Sequence, residues 1–435
     1  MSIERRAMFA GSMGPRQAAA IPEAEVSGKR REYESRLREL EAQEPLHGID
    51  LRSLLIEHGI GRRAFLKWVS AMTALLTLPP LFEPLVARAA QVANRIPVIW
   101  IEGQSCRGNS EALLRSEAPT VDELLFDTIS LEFHQLLMAA AGFQAEQRKA
   151  DAVKANYGKY LLVVEGSIPT GYNGAFSTSG AAGQTFLAEL TELARGAAAV
   201  MAVGSCATYA ALPAADPNPT GAISVQDAVS SVPVVNLPAC PINAVNFVGT
   251  LLHFILAGSW PALDTELRPL WAFAAPIHDN CPRRAHFDAG EYVLDWGDQG
   301  AQNNFCLYKM GCKGPMTHNN CSLVLYNGAT NWPIGAGHGC IGCSESDFWD
   351  RYAFERPLAT ANVNAPGLFG WGVENSVDKL GLGLLTLTAV GIAAHAVGSG
   401  VVHHRQRTAH AAADRARRQP EQPPDEPAAD TGEQS

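Results

Sequence analysis

No cysteine occurs in the first hundred residues of this chain or in its last ninety, although nine lie between. There is no pair of Cys-x2-Cys knuckles, which argues against a zinc ribbon, and no tandem Cys-x2-Cys-x2-Cys-x3-Cys run, which argues against a ferredoxin-type subunit. An excess of base is missing too. With 34 Lys and Arg against 44 Asp and Glu, the formal net charge is −10, and nucleic-acid binding, which needs a basic face, is excluded as the default role. There is no internal repeat. Charge is absent altogether from residues 380–402, "LGLGLLTLTAVGIAAHAVGSGVV", where no Asp, Glu, Lys or Arg interrupts the run. At about 1.5 Å per residue this helix crosses a bilayer core of roughly 30 Å. The basic "HHRQRTAHAAADRARR" follows it, so the positive-inside rule puts the tail in the cytoplasm. The final Pro- and acid-rich stretch reads as disordered. His395 lies inside the uncharged run, where an imidazole needs a partner: a neighbouring helix or a haem-related role.

What is present divides the chain. Its 435 residues, 47% hydrophobic and 18% charged, suffice for two ordinary domains and more. Residues 1–60 are polar, with one predicted helix in "REYESRLRELEAQE", read as solvated or disordered and without chemistry. Residues 61–90, "GRRAFLKWVSAMTALLTLPPLFEPLVARAA", place Arg62-Arg63 before an apolar run and Ala87-Arg88-Ala89. That is a twin-arginine export signal behind an unusually long extension. Export usually turns cysteines into disulfides, but nine is odd, and the twin-arginine route carries proteins already folded. Metal is favoured over disulfides.

From residue 96, short apolar runs each close on Gly or Pro: "IPVIWIEG", "YLLVVEGSIP", "AAVMAVGSC" and "VPVVNLPAC". Stretches such as "FHQLLMAAAG" and "QTFLAELTELARGA" read as helices between them, which predicts an α/β domain with a parallel sheet. Ligands of such sheets bind beyond the carboxyl ends of the strands. Cys106, Cys206 and Cys240 all fall just there. A lone Cys after a strand is usually a small buried hydrophobe; three at equivalent places point to a site. After about residue 256 the alternation fades into Gly, Pro and Asn. Six cysteines and His278 stand in that segment as a substitute for a large core. His278, Cys281, Cys306 and Cys312 form one set, and Cys321, Cys340 and Cys343 another. Spacing alone leaves zinc and iron–sulfur both open, with three-ligand sets leaning to iron–sulfur.

Two stretches share one frame: "CRGNSEA" at 106–112 and "CIGCSES" at 340–346, with Asn109 where the later copy has Cys343. Together with "VEGSIPTG", "GSCATYA", "LPACPINAVNFVGTLLHFI", "IHDNCPRRAHFDAGEYV", "CLYKMGCKGP" and "NWPIGAGHGCIGCSESDFWD" in this order, they make residues 96–405 resemble the small subunit of a membrane-bound nickel–iron uptake hydrogenase. The resemblance implies a flavodoxin-like parallel-sheet domain, an irregular iron–sulfur domain and one C-terminal transmembrane helix. It implies a proximal 4Fe–4S cluster on Cys106, Cys206 and Cys240, with Asn109 replacing the fourth thiolate. It further implies a distal 4Fe–4S cluster on His278, Cys281, Cys306 and Cys312, and a middle 3Fe–4S cluster on Cys321, Cys340 and Cys343. Electrons from a nickel–iron site on a separate large subunit would pass to a membrane cytochrome b and quinone. The expected organisation is a polar extension (1–60), signal region (61–95), flavodoxin-like domain with the proximal cluster (96–255), iron–sulfur domain (256–370), anchor (379–404) and disordered cytoplasmic tail (405–435). The body would lie on the extracytoplasmic, periplasmic side of the membrane. The remaining alternatives are an iron–sulfur subunit of another exported oxidoreductase, and a membrane-tethered zinc module.

Overall fold

The computed structural model describes residues 23–43, 62–92, 96–116, 130–346, 348–351 and 373–418. It divides into two compact units, Met1–Ala359 and Thr360–Ser435.

The centre of the first unit is a five-stranded parallel sheet: β1 Pro97–Glu102, β2 Ser130–His134, β3 Leu161–Glu165, β4 Ala199–Val203 and β5 Val234–Leu237, in the order β2-β1-β3-β4-β5. That is the flavodoxin-like order, which reverses direction between β1 and β3. The near-continuous apolar runs follow from burial on both faces. Val98, Trp100, Leu161, Val163 and Met201 pack toward the Ala244–Ala257 helix. Their alternate neighbours Ile99, Ile101, Leu162, Val164 and Val200 pack with residues of the Phe186–Gly196 helix on the other side. Register holds the rows straight, with Trp100 opposite Val163 and Val163 opposite Met201.

Two local readings of the sequence change. "FHQLLMAAAG" is not a helix: Phe133 and His134 end β2, a turn follows, and the helix starts only at Gly142. Phe133 is buried in the sheet core and His134 stacks on Trp100 at 5.0 Å, so tertiary packing overrides the local preference. The helix in the N-terminal extension is longer than expected, Glu23–Gln43, and is not simply solvated. Tyr33 and Leu37 are buried in the main core. Val26 and Leu40 pack beside them, a contact masked by the helix's charged majority.

Beyond the Ala244–Ala257 helix the chain runs in short turns and helices of three to five residues up to Arg351. A small core of Ile277, Val293, Leu307, Trp332 and Ile334 includes Cys312, Cys321 and Cys340. Two buried asparagines join this part to the sheet domain: Asn246 and Asn320 exchange side-chain hydrogen bonds at 2.9 Å in each direction.

Among its described residues the second unit is one helix, Val373–Arg418, and its segment Gly383–Arg415 includes an apolar run long enough to cross a membrane by length and composition. Helix continues through 405–418, so these residues are not the start of a disordered tail. The Ala- and Arg-rich sequence is a good helix former after the apolar run ends. Residues 419–435 lie outside the described set.

Candidate metal centres

Three strand ends gather three thiols. β1 ends at Glu102, four residues before Cys106; β4 ends at Val203, and Cys206 sits in the short Ser205–Tyr209 helix; β5 ends at Leu237, three residues before Cys240. Cys106 and Cys240 are exposed and Cys206 half-buried. Burial first, then the neighbouring Cys240 and Cys106, pushes the Cys206 thiol up to about 12. Burial and Cys106 likewise raise Cys240.

The loop carrying Cys106 hangs from one buried acid at the switch point between β1 and β3. Glu165 Oε1 accepts from Ser105 Oγ at 2.7 Å and from the Asn109 backbone at 3.2 Å; Oε2 accepts from the Ser110 backbone at 3.1 Å and Ser110 Oγ at 2.7 Å. Its neighbour Glu102 is raised by burial and then by Glu165, and is ion-paired with Arg107 Nε at 2.9 Å. Asn109 is buried, and its amide is committed to the protein. Nδ2 donates to Glu165 Oε1 at 3.2 Å and to the Val203 carbonyl at 3.4 Å, while Oδ1 accepts from the Ile242 N–H at 2.9 Å. Gly204 makes room for it. With φ +82, a Cβ at that position would collide with Asn109 Nδ2. Asn109 therefore ties β3, β4 and the loop after β5 together beside the three thiols.

The shared frame has a structural meaning. In Cys106-Arg-Gly108 and Cys340-Ile-Gly342, and again in Cys312-Lys-Gly314, the glycine N–H donates to the cysteine Sγ at 3.4 Å. The Cys340 N–H adds a second donor to Cys312 Sγ at 3.3 Å. Such bonds favour the thiolate and tune any metal it holds.

The second set lies in one lined cavity: His278, Cys281, Cys306 and Cys312, with Leu307, Tyr308 and Ile334 around them. His278 Nε2 is buried and has no hydrogen-bond partner. Burial, then Arg284, lowers its pKa to about 4, so the imidazole is neutral at neutral pH and keeps a lone pair. Burial pushes Cys306 and Cys312 up to about 12 and raises Cys281. The third set is Cys321, Cys340 and Cys343, each pushed up to about 12, first by burial and then by a thiol of the same set. Tyr326 Oη lies 3.7 Å from Cys321 Sγ and donates to the Pro241 carbonyl at 3.2 Å. These thiols need a compensating cation to ionise at neutral pH. An unpartnered imidazole nitrogen among three such thiols suits a metal cluster.

The sets neighbour one another. Burial, then Cys321, raises Cys343, and the Cys240 thiol adds to that rise; burial, then the Cys340 thiol, raises Cys312. Arg268, buried and ion-paired with Asp264 at 2.7 Å, holds the later frame through the Ser344 carbonyl at 3.1 Å and Glu345 at 3.4 Å. The sequence reading missed Glu165, Gly204 and Arg268. An acid closing the buried run "LLVVE" was the one available signal. The backbone of Arg62 and Arg63 opens the Arg62–Leu75 helix, but their side chains lie outside the described set.

Comparison with known proteins agrees with this geometry. Residues 273–355 match the family described as the C-terminal part of the NiFe/NiFeSe hydrogenase small subunit, and residues 106–254 match NADH ubiquinone oxidoreductase, 20 Kd subunit. The quinone-reactive Ni/Fe-hydrogenase small chain of Wolinella succinogenes is 49% identical over 354 residues, 81% of this chain and 99% of the relative. An uptake hydrogenase small subunit of Azotobacter vinelandii is 41% identical over 79% of this chain and 93% of its own length. A solved [NiFeSe]-hydrogenase chain from Desulfomicrobium baculatum superimposes with a TM-score of 0.56 at 35% identity, covering 60% of this chain and 98% of that one.

Proposed function

The chain belongs to the nickel–iron hydrogenase small subunits, and on that footing we propose that it is the electron-transfer subunit of a membrane-bound, hydrogen-oxidising complex with three iron–sulfur sites. The observation that carries the reading is the unbroken succession of thiol sets: Cys106, Cys206 and Cys240, then Cys321, Cys340 and Cys343, then His278, Cys281, Cys306 and Cys312.

Bound clusters would supply one-electron carriers at each set. The chain's own residues do the rest. Exposed Cys106 and Cys240 put the proximal set at the surface, open to the approach of a nickel–iron large subunit. Glu165 and Asn109 fix the Cys106 loop, and the glycine N–H donors offset thiolate charge. Buried Cys312, Cys321 and Cys340 exclude water from the middle of the path. His278 brings a neutral nitrogen in place of a fourth thiolate, which raises the potential of that site relative to an all-cysteine one. The middle set offers three thiolates, which suits a 3Fe–4S centre.

The apolar run within Gly383–Arg415 supports a membrane anchor, with a cytochrome b and quinone as acceptors and the body on the periplasmic side after twin-arginine export. In that arrangement His395 contacts the cytochrome within the span. The test is metal analysis and electron paramagnetic resonance of the complex purified with its large subunit, during a redox titration. We expect iron, no stoichiometric zinc, and three separately titrating centres. Zinc at the cysteines, or a single iron centre, would refute the reading.

A further inference from the structure

Two hydroxyls stand against the middle set of thiols, and each faces a carbonyl on its other side. Tyr326 Oη lies 3.7 Å from Cys321 Sγ and donates to the Pro241 carbonyl at 3.2 Å. Thr317 Oγ1 lies 3.5 Å from Cys340 Sγ and donates to the Lys313 carbonyl at 2.7 Å. The two carbonyls are placed alike. Pro241 follows Cys240 of the proximal set, and Lys313 follows Cys312 of the distal set. The middle thiols thus have one hydroxyl toward each neighbouring set.

The backbone holds both hydroxyls in place. Thr317 is 1% exposed, and its carbonyl accepts from the Ile277 N–H at 2.7 Å, next to His278. Tyr326 sits in an unfavourable turn, with Leu325 at φ +53, Asn327 at +52 and Ala329 at +61. Left-handed backbone at Leu and Ala persists only where the surroundings enforce it. Here Asn243 Nδ2 donates to the Leu325 carbonyl, and the Tyr326 N–H donates to the Asn331 carbonyl at 2.7 Å.

A hydroxyl has one proton to give. While the cysteines are protonated, every group is satisfied in a relay: thiol to hydroxyl, and hydroxyl to carbonyl. A metal-bound thiolate has no proton and is itself an acceptor. It competes with the carbonyl for the hydroxyl's proton, and a charged acceptor makes the stronger bond. An added electron puts more negative charge on the sulfurs, so the bond is stronger in the reduced centre than in the oxidised one. Stabilising the reduced state more than the oxidised one raises the potential.

We propose that Tyr326 and Thr317 set the potential of the middle centre. Their hydroxyls turn from the Pro241 and Lys313 carbonyls to the Cys321 and Cys340 thiolates as the centre is reduced, so that it draws electrons more readily from the proximal side. This rests on the reading of Cys321, Cys340 and Cys343 as an iron–sulfur site.

The test is redox-titrated electron paramagnetic resonance, with iron analysis, of the complex purified with its large subunit. The variants are Tyr326→Phe, Thr317→Val, the two combined, and Thr317→Ser. We expect wild-type iron content, with the middle potential lowered in each of the first two and lowered further in the combination. Each lost hydroxyl should shift the one-electron equilibrium of the middle centre about tenfold toward its oxidised form, or about 59 mV. Thr317→Ser keeps the hydroxyl and should hold the wild-type value, and the proximal and distal potentials should not move. An unmoved middle potential in Tyr326→Phe or in Thr317→Val overturns that hydroxyl's part. A fall in Thr317→Ser as large as in Thr317→Val assigns the effect to packing and overturns the hydroxyl's role. Loss of the middle iron from both single variants makes the residues elements of cluster assembly and overturns the tuning role. A wild-type complex without a middle iron centre overturns the iron–sulfur reading itself, which separates the two failures.

Discussion

Replacing Asn109 by Ala removes one amide and disturbs three partners. Glu165 loses a donor at 3.2 Å but keeps Ser105, Ser110 and the Asn109 backbone, and the bond to the Val203 carbonyl is long at 3.4 Å. Neither loss is large. The Ile242 N–H decides the outcome, because it is buried and gives up its acceptor at 2.9 Å. An orphaned buried donor costs about 1–3 kcal/mol. The space vacated beside Gly204 adds roughly 1 kcal/mol. The total of about 2–4 kcal/mol should lower the unfolding midpoint by roughly 3–6 °C for a body of this size. The assay is thermal unfolding of the purified complex, followed by circular dichroism. Asn109→Cys is the informative companion. A thiol replaces the amide's hydrogen bonds poorly, so the chain stripped of iron should lose as much as Asn109→Ala. Loaded with iron and sulfide, it should recover stability and show a lower proximal potential, since a fourth thiolate adds negative charge. An Asn109→Ala midpoint within about 1 °C of wild type would refute the reasoning, for the amide would then not be holding the loop.

His278→Cys should lower the potential of the distal site while leaving the other two unchanged, read by redox-titrated electron paramagnetic resonance; an unaltered distal signal would put His278 outside the coordination sphere. Deleting residues from 379 onward should release a folded, soluble complex that still reduces artificial dyes; a truncated chain that sediments with membranes without a membrane-bound partner would refute the anchor. His318 is raised, first by its hydrogen bond to Glu345, with Nδ1 at 3.2 Å. The stability it adds is full below the unfolded value of about 6.5 and is lost as pH rises through the folded value. The side chain is 40% exposed, so screening holds the effect to no more than about 1 kcal/mol. The midpoint gap between wild type and His318→Gln should therefore be wider at pH 6 than at pH 8, and a gap that widens with pH would contradict the assignment.

The strands were legible because burial on both faces leaves a plain mark. "PVIWIE", "LLVVE", "AVMAV" and "VVNL" are apolar nearly throughout, and each closes on a chain-turning residue. The same logic places Cys106, Cys206 and Cys240 at strand ends from residue order alone. β2 escaped it. "SLEFH" is an edge strand with only Phe133 and His134 buried, and the string "LLMAAA" that follows resembles a helix until the sheet claims the two residues before it. The extension escaped for a related reason: in Glu23–Gln43 the burial of Tyr33 and Leu37 is set by what lies across from them, which charge composition does not record.

By itself the sequence determined the chemistry on offer: nine thiols, an imidazole, the spacing of the Cys-x-Gly frames and an uncharged run long enough to span a bilayer. All of these are properties of residue type and local order. Tertiary structure decided which groups meet. It brought Cys343 beside Cys240 across a hundred residues, hung the Cys106 loop on Glu165, left His278 Nε2 without a partner among three thiols, and committed the amide of Asn109 to Ile242. The physical reason is that a hydrogen bond or a shared metal depends on distances of a few ångströms. Those distances are fixed by how the sheet and its loops close on one another, and no run of neighbouring residues encodes them.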